Sequence, residues 1–135
     1  AFLHLNPKAN GTMFDATEKA LVKHVFLIAK HLKKPLETAE GFKAFVTTAR
    51  LDGLLGAGGN GANFGVIAGG FFGLAKTLNL EWPTVFCRGI DLAANLSDDG
   101  AADALVAELH DPNRLIVEVG VGTQGRHTLV AEPTI

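Results

Sequence analysis

Short apolar runs occur at five places along the chain and predict five β-strands. They occupy residues 1–5, 44–48, 85–91, 115–121 and 126–132. The run at 85–91 is short and apolar, with Cys87 and Ile90 in it, which is typical of a strand that is buried on both faces of a parallel sheet. The last two runs are joined around residues 122–125, and this spacing predicts an antiparallel hairpin at one edge of the sheet.

Apolar residues at helical spacing predict an amphipathic helix after the first strand. It begins near Asp15, which fits a capping box with Glu18, although Thr12 with Asp15 is an alternative start one turn earlier. We expect the helix to end near Lys34, because lysines in a last turn suit the negative end of the helix dipole. Its apolar positions are Leu21, Val25, Ile28 and Leu32, and its solvent side carries Lys19, Lys23, Lys30 and Lys33.

A second amphipathic helix is predicted over residues 101–109, after a linker at residues 93–99. Asp98 or Asp99 is expected as its N-cap, because an aspartate side chain can accept the free amides of a first turn. The apolar positions of this helix are Leu105, Val106 and Leu109. Both amphipathic helices are therefore expected to cover the faces of a sheet.

The helix predicted over residues 64–80 differs from these two, because apolar residues surround it instead of forming one stripe. We expect such a helix to be buried on several sides. Glycine costs about 1 kcal/mol relative to alanine in a helix interior, and this cost is more easily kept where another backbone packs closely. Three glycines leave one flank of the helix without side chains, and they are Gly69, Gly70 and Gly73. Pro83 ends the helix, and Trp82 is expected to anchor that end by packing.

The alternation of strands and helices predicts an α/β fold with a mainly parallel sheet, helices on both faces and a C-terminal hairpin. The 135 residues fit a single domain, residues 1–135. A net charge of −2 provides no basic field, so neither nucleic acid nor an anionic membrane is an expected partner. No apolar run reaches the roughly 18 residues that span a bilayer. Cys87 is the single cysteine and is expected to be an inert core thiol, which is compatible with a cytoplasmic protein.

The glycine-rich segment at residues 51–65 contains a motif that suggests a nucleotide. GAGGNG, at residues 56–61, satisfies GxGxxG and lies between a strand and a helix. Its glycine positions are Gly56, Gly58 and Gly61. In a dinucleotide site the helix begins at the motif, and an acidic residue follows at the end of the next strand. Here the helix is expected to begin nearer Asn63 and position 81 is a helical glutamate, so we interpret the segment as a flexible loop without a cofactor.

The other polar residues form no catalytic or metal-binding pattern. The histidines are scattered and no HExxH motif occurs, so no metal site is expected. They are His4, His24, His31, His110 and His127. Arg50 and Asp52 close a strand beside the glycine segment, where open α/β sheets often bind ligands, but we expect a structural ion pair between them. Arg88 and Asp91 lie in the buried strand. Asp91, at the carboxyl end of that strand, fits either a ligand-binding residue or a member of a structural ion pair. Ser97, in the linker, has no partner for nucleophilic catalysis.

The stretch GGFFGLAKTLNLEWPTVFCRGIDL, at residues 69–92, resembles short-chain dehydrogenases where their active-site helix leads into the next strand. Aligned in this way, Phe64 takes the position of the catalytic tyrosine and Ala68 that of the catalytic lysine. The chain contains no tyrosine, and Ser97 is its only serine. A phenyl ring has no proton to donate and a methyl group has no charge, so the hydride-transfer chemistry of that family is not expected.

A closer resemblance is to the non-catalytic structural subdomain of the ketoreductases in polyketide and polyunsaturated fatty acid synthases. The matching sequence segments are AFLHL, FLIAKHLKKPL, FVTTARLDG, GGFFGLAKTLNLEWPTVFCRGIDL and LIVEVGVGTQGRHTLV. The resemblance implies a truncated Rossmann-like sheet, a further strand and helix before Ala1, and an NADPH-binding catalytic half that follows Ile135. The chain is therefore expected to be a fragment of a longer multidomain synthase that reduces β-ketoacyl groups.

The resemblance implies a non-enzymatic role, in which this subdomain binds no cofactor and stabilises the NADPH-dependent catalytic subdomain of the same polypeptide. Self-association of the isolated fragment through the same helix is a further expectation. The expected interface residues are Gly69, Gly70, Phe71, Gly73 and Leu74. Two alternatives stay open, namely an NAD(P)-binding oxidoreductase that uses residues 56–61, and a small-molecule or acyl-carrier binding module that uses the same loop.

Overall fold

Strands and helices alternate along the chain, as the hydrophobic pattern predicts. The computed structural model describes residues 2–5, 15–58 and 66–132. In chain order the elements are β1 (Phe2–Leu5), α1 (Ala16–Thr38), β2 (Ala44–Leu51), α2 (Val66–Glu81), β3 (Phe86–Ala93), α3 (Asp98–His110), β4 (Glu118–Gly122) and β5 (Gly125–His127).

The five strands form one sheet in the order β1-β2-β3-β4-β5, so each strand lies beside its neighbour in sequence. The first four are parallel, and β5 pairs antiparallel with β4. The register pairs Leu51 with Ala93, so β2 and β3 end side by side at one edge of the sheet. This arrangement is a truncated Rossmann-like α/β fold, and it confirms the predicted class and the C-terminal hairpin.

The helices cover both faces of the sheet, and the chain changes face at α3. On one face, Ala29 of α1 and Leu78 of α2 pack with Phe45 of β2. On the other face, Ala101 of α3 packs with Ile90 of β3. Successive strands advance across the sheet in one direction, so the crossover through α3 has the opposite hand to those through α1 and α2. Crossovers between parallel strands of one sheet are almost always right-handed, so two hands in the same sheet are uncommon.

Helix α1 begins where the sequence predicts and ends later. Asp15 is its N-cap, and both hydrogen bonds of the capping box with Glu18 are present. The helix continues through Pro35 to Thr38, so the prediction that lysines form its last turn is wrong. Proline removes one amide donor but fits helical φ, and the amide of Ala39 still bonds the Pro35 carbonyl. The alternative start at Thr12 lies outside the described residues.

The buried face of α1 contains fewer residues than the hydrophobic pattern of the helix predicts. Val25 and Ala29 are its buried residues, and Leu32 and Leu36 are partly buried against the core. The predicted core positions Leu21 and Ile28 are 36% and 40% exposed. Most of the apolar surface of this helix is therefore not covered by the described part of the chain.

Helix α2 is buried along the side that faces the sheet and α1. Its buried residues are Ile67, Ala68, Phe71, Phe72, Ala75 and Leu78. Leu80 is 83% exposed, so the prediction that this helix is buried on several sides is wrong at this end. Trp82 packs edge-to-face on Phe45, with 5.7 Å between ring centroids, which confirms its packing role before Pro83.

Every residue of β3 is buried, as predicted from its short apolar run. The N-cap of α3 is Ser97, whose hydroxyl accepts the amide of Gly100, so the prediction of Asp98 or Asp99 is wrong by one or two residues. Leu105 and Leu109 pack against the core as predicted, but Val106 is 56% exposed.

Candidate functional site

The turn after β2 is built around the side chain of Asp52. Its carboxylate accepts the amides of Leu54, Gly56 and Gly58 at 2.8, 3.0 and 3.1 Å. Leu55 has a φ of 58°, a conformation in which a branched side chain is uncommon. The turn is therefore a specific structure within residues 52–58, whereas the sequence predicted a flexible loop there.

Asp91, at the carboxyl end of β3, supports the same turn from within the sheet. Its side chain is fully buried and accepts the amides of Leu51 at 3.1 Å and Leu55 at 2.9 Å. The carboxyl groups of Asp91 and Asp52 also lie within hydrogen-bonding reach of each other. Two carboxylates can make such a bond only if a proton lies between them.

The pKa values of the two carboxyl groups are shifted in opposite directions. Burial raises the pKa of Asp91 to about 6, and the neighbouring Asp52 adds to this rise. For Asp52, partial burial acts to raise the pKa, but the amides of Gly56, Leu54 and Gly58 and the Asp91 side chain bring it below the usual 3.8. Of the two carboxyl groups, Asp91 is therefore the one that holds a proton more readily.

The predicted ion pair between Arg50 and Asp52 does not form. Arg50 instead donates to the carbonyl of Leu96 at 2.7 Å and to Asp98 at 2.9 Å. β2 ends at Leu51, and the Asp52 carboxylate that follows it is taken up by the amides of its own turn instead of by Arg50.

A cavity of about 340 Å³ opens beside this turn, at the carboxyl ends of β2, β3 and β4. Asp52 and Gly58 form one wall, and the β4–β5 hairpin forms another through Gln124 and His127. No lysine or arginine is among its described lining residues. The described lining thus offers hydrogen-bonding groups and one acidic side chain, and it contains no lysine or arginine that would hold a phosphate.

The described part of the glycine motif does not fit a dinucleotide phosphate. A phosphate-binding turn presents free backbone amides, but those of Gly56 and Gly58 are bonded to Asp52. The acidic group at the centre of the turn would also repel a phosphate. Gly61 and Asn63 lie outside the described residues, and α2 is described from Val66.

The predicted interface residues of α2 fall into two groups. Gly69 and Gly70 are exposed, and a Cβ added at either, or at Gly73, would meet no atom within 4 Å. Phe71 is buried, and Leu74 packs beside it against Val25 of α1. No residue in the described part of the chain therefore packs on the glycine flank, whereas the two apolar residues belong to the core of this chain.

Helix α1 lies on the same face of the sheet as α2 and adds exposed apolar side chains to that layer. Five of these apolar side chains are each at least 36% exposed, and Phe26 is the most exposed of them at 58%. They are Leu21, Val22, Phe26, Leu27 and Ile28. The outer surface of the α1–α2 layer thus combines apolar side chains with a helix flank that has no side chains.

An ion network that the sequence analysis did not find lies on the opposite face of the sheet. Arg88 of β3 is fully buried and donates to Glu108 at 2.6 Å and to Asp111 at 2.9 Å. Arg126 of β5 bonds the same two carboxylates. The full burial of the strand that carries Arg88 was the one signal in the sequence, because a buried arginine needs carboxylate partners.

The remaining polar candidates are structural or isolated. Cys87 is buried, and burial raises the pKa of its thiol to about 12, which confirms that it is an inert core residue. Among residues 2–5, 15–58 and 66–132, no three metal-binding side chains come together. Within those ranges no helix is both long enough and apolar enough to cross a membrane. Ala68 is buried in α2, and Phe64 lies outside the described residues.

The fold and its site define a Rossmann-like α/β unit with a carboxylate-centred turn at the carboxyl edge of its sheet. No protein-family model matches the chain, and no solved structure matches it significantly. The chain is similar to a polyunsaturated fatty acid synthase subunit of Thraustochytrium sp., with 39% identity over 120 residues that span 83% of this chain. The aligned segment makes up 4% of that relative, so the similarity concerns a short part of a large protein.

Proposed function

We propose that the chain is a non-catalytic structural subdomain of a ketoreductase in a polyunsaturated fatty acid or polyketide synthase. In this role it stabilises the NADPH-dependent catalytic subdomain of the same polypeptide, which reduces β-ketoacyl groups. The similarity to a segment of a polyunsaturated fatty acid synthase supports the synthase context. The chain contains no tyrosine, and Ala68 stands at the position where the related dehydrogenases have a catalytic lysine.

The observation that carries this proposal is the outer surface of the α1–α2 layer, which none of the described residues covers. A soluble monomer rarely leaves a large contiguous apolar surface exposed, and Phe26 is the most exposed apolar residue of α1. Gly69, Gly70 and Gly73 would let the backbone of a partner helix approach α2 closely, because nothing in the described chain fills the space beside them. The catalytic subdomain is the proposed occupant, and a second copy of the chain occupies the same surface when that subdomain is absent.

Gly70→Leu tests this surface directly. A leucine there projects into open space, so we expect the isolated chain to unfold at an unchanged or higher urea concentration. Association with a separately expressed catalytic ketoreductase subdomain, measured by sedimentation velocity, should weaken by at least about tenfold because the side chain blocks close helix approach. Ala102→Leu, at an exposed position of α3 on the other face, is the matched control and should leave association unchanged. Equal binding by both variants would contradict the proposed interface.

A titration with NADPH distinguishes the proposal from the alternative of an NAD(P)-binding oxidoreductase. The amides of Gly56 and Gly58 are bonded to Asp52, so we expect no calorimetric signal from the chain alone. We expect binding once the catalytic subdomain is added. Saturable binding by the chain alone would instead assign a working nucleotide site to residues 56–61.

A further inference from the structure

The turn at residues 52–58 depends on two carboxyl groups for its shape. Five backbone amides between residues 51 and 58 donate to the side chains of Asp52 and Asp91. They belong to Leu51, Leu54, Leu55, Gly56 and Gly58, with distances between 2.8 and 3.1 Å. The bond from Leu55 to Asp91 also holds the one described non-glycine residue with positive φ. Any change in the carboxyl pair is therefore transmitted to the whole turn.

No cation neutralises this pair among the ion pairs of the described residues. On β2, Arg50 is bonded to Asp98 of α3. Lys76 of α2 is bonded to Glu118 of β4. His127 of β5 lines the cavity with Asp52. Within the described part of the chain, Asp52 is therefore the charged group that acts on Asp91, and it acts through both a hydrogen bond and its charge.

We propose that the turn at residues 52–58 is a proton-controlled latch, closed while Asp52 and Asp91 share one proton and open when both are ionised. When the shared proton leaves, the hydrogen bond between the carboxyl groups becomes a repulsion between two charges, one of them on the fully buried Asp91. Asp91 is fixed in the sheet, so Asp52 moves toward solvent and carries the turn with it. Asp52, Gly53, Leu54 and Gly58 all line the cavity, so opening the latch reshapes the cavity wall.

The direction of the pH dependence follows from the two displaced groups. The pKa of Asp91 is raised in the folded chain, so its contribution to the closed turn is complete below the unfolded value of 3.8 and is lost as the pH rises through about 6. The pKa of Asp52 is lowered, so its contribution is lost only as the pH falls below 3.8. The latch is therefore closed in mildly acidic solution and opens toward neutral pH.

Amide hydrogen exchange of the full 135-residue chain, followed by NMR and corrected for intrinsic rates, tests the latch. Between about pH 5 and about pH 7.5, protection of the Leu54, Leu55, Gly56 and Gly58 amides should fall at least about tenfold. The amide of Ile90, in the middle of β3, should keep its protection and report that the sheet stays folded. Constant protection of the four turn amides across this range would overturn the proposal.

Three variants separate the carboxyl pair from other titrating groups. Asp91→Asn donates to Asp52 at every pH, so protection of the turn should no longer depend on pH. Asp52→Asn removes the repelling charge and should have the same effect, which provides an independent test if the variant at the buried position fails to fold. Asp98→Asn makes the same change on an exposed carboxylate outside the turn and should keep the wild-type dependence. A wild-type dependence in Asp52→Asn would show that other groups open the turn.

Discussion

Gly120 and Gly53 bring the backbone of β4 against the turn that follows β2. A Cβ added at Gly120 would lie against the carbonyl oxygen of Gly53, 2.6 Å from its carbonyl carbon and 3.0 Å from the amide nitrogen of Leu54. All three atoms belong to backbone, so no side chain can rotate away to make room. The turn that carries Asp52 is therefore positioned by the absence of a side chain on β4.

Gly120→Ala should accordingly destabilise the chain by about 1–3 kcal/mol, the usual cost of overpacking a filled site. Urea unfolding followed by circular dichroism measures this loss. Gly69→Ala makes the same chemical change at an exposed helical position beside open space, and it should stabilise the chain by about 0.5–1 kcal/mol. If the two variants unfold at the same urea concentration, β4 and the turn are not in the close contact described.

At the scale of elements, the N-cap of α3 shows how one acceptor is selected among three neighbouring polar residues. Ser97 has extended backbone angles and accepts the amide of Gly100 at 3.1 Å, while Asp98 and Asp99 lie in the first helical turn. Aspartates at these positions interact favourably with the positive end of the helix dipole, while Ser97 makes the capping hydrogen bond. Linker and helix are therefore joined at Ser97.

Ser97→Ala should lower the free energy of unfolding by about 1 kcal/mol, because the amide of Gly100 loses its acceptor. Ser97→Asp replaces one good capping side chain with another and should restore most of the stability. Asp99→Ala is the control, and its effect should be smaller because only a dipole interaction is removed. Thermal unfolding of the three variants ranks them, and a larger loss for Asp99→Ala than for Ser97→Ala would contradict the capping role of Ser97.

The sequence predicts elements well where the signal is local. Asp15 and Glu18 are three residues apart and fix the start of α1, and the short apolar run at residues 85–91 identifies β3 as a strand buried on both faces. The end of α1 was predicted a turn too early, because lysines near a helix end are a weaker signal than the helical φ that Pro35 already has.

The carboxylate-centred turn could not be predicted, because its parts come from distant positions. Asp52 and Asp91 meet through the parallel register of β2 with β3, which places Leu51 beside Ala93. The sequence showed Arg50 two residues from Asp52 and favoured an ion pair, but Arg50 bonds Asp98 and the Asp52 carboxylate accepts the amides of its own turn. Only the placement of acidic residues at strand ends was visible beforehand.

At the scale of the whole molecule, one ion network connects the sheet to α3 and to the C-terminal hairpin. Arg88 of β3 and Arg126 of β5 share Glu108 of α3 and Asp111, which follows that helix. Arg88 also donates to the carbonyl of Ile116, just before β4. The network thereby fixes these elements relative to one another on the face opposite α1 and α2.

Removing Arg88 should therefore affect the stability of the entire chain. Arg88→Met leaves Glu108 buried with one cation instead of two, and we expect a loss of about 3 kcal/mol in the free energy of unfolding, measured with urea at neutral pH. Arg50→Met breaks a pair whose acidic partner, Asp98, is fully exposed, and its loss should be much smaller. Combining Arg88→Met with Glu108→Leu removes the buried carboxylate as well and should recover part of the stability. A double variant less stable than Arg88→Met would instead show that Glu108 is held mainly by Arg126, so that the hairpin, and not the buried strand, anchors α3.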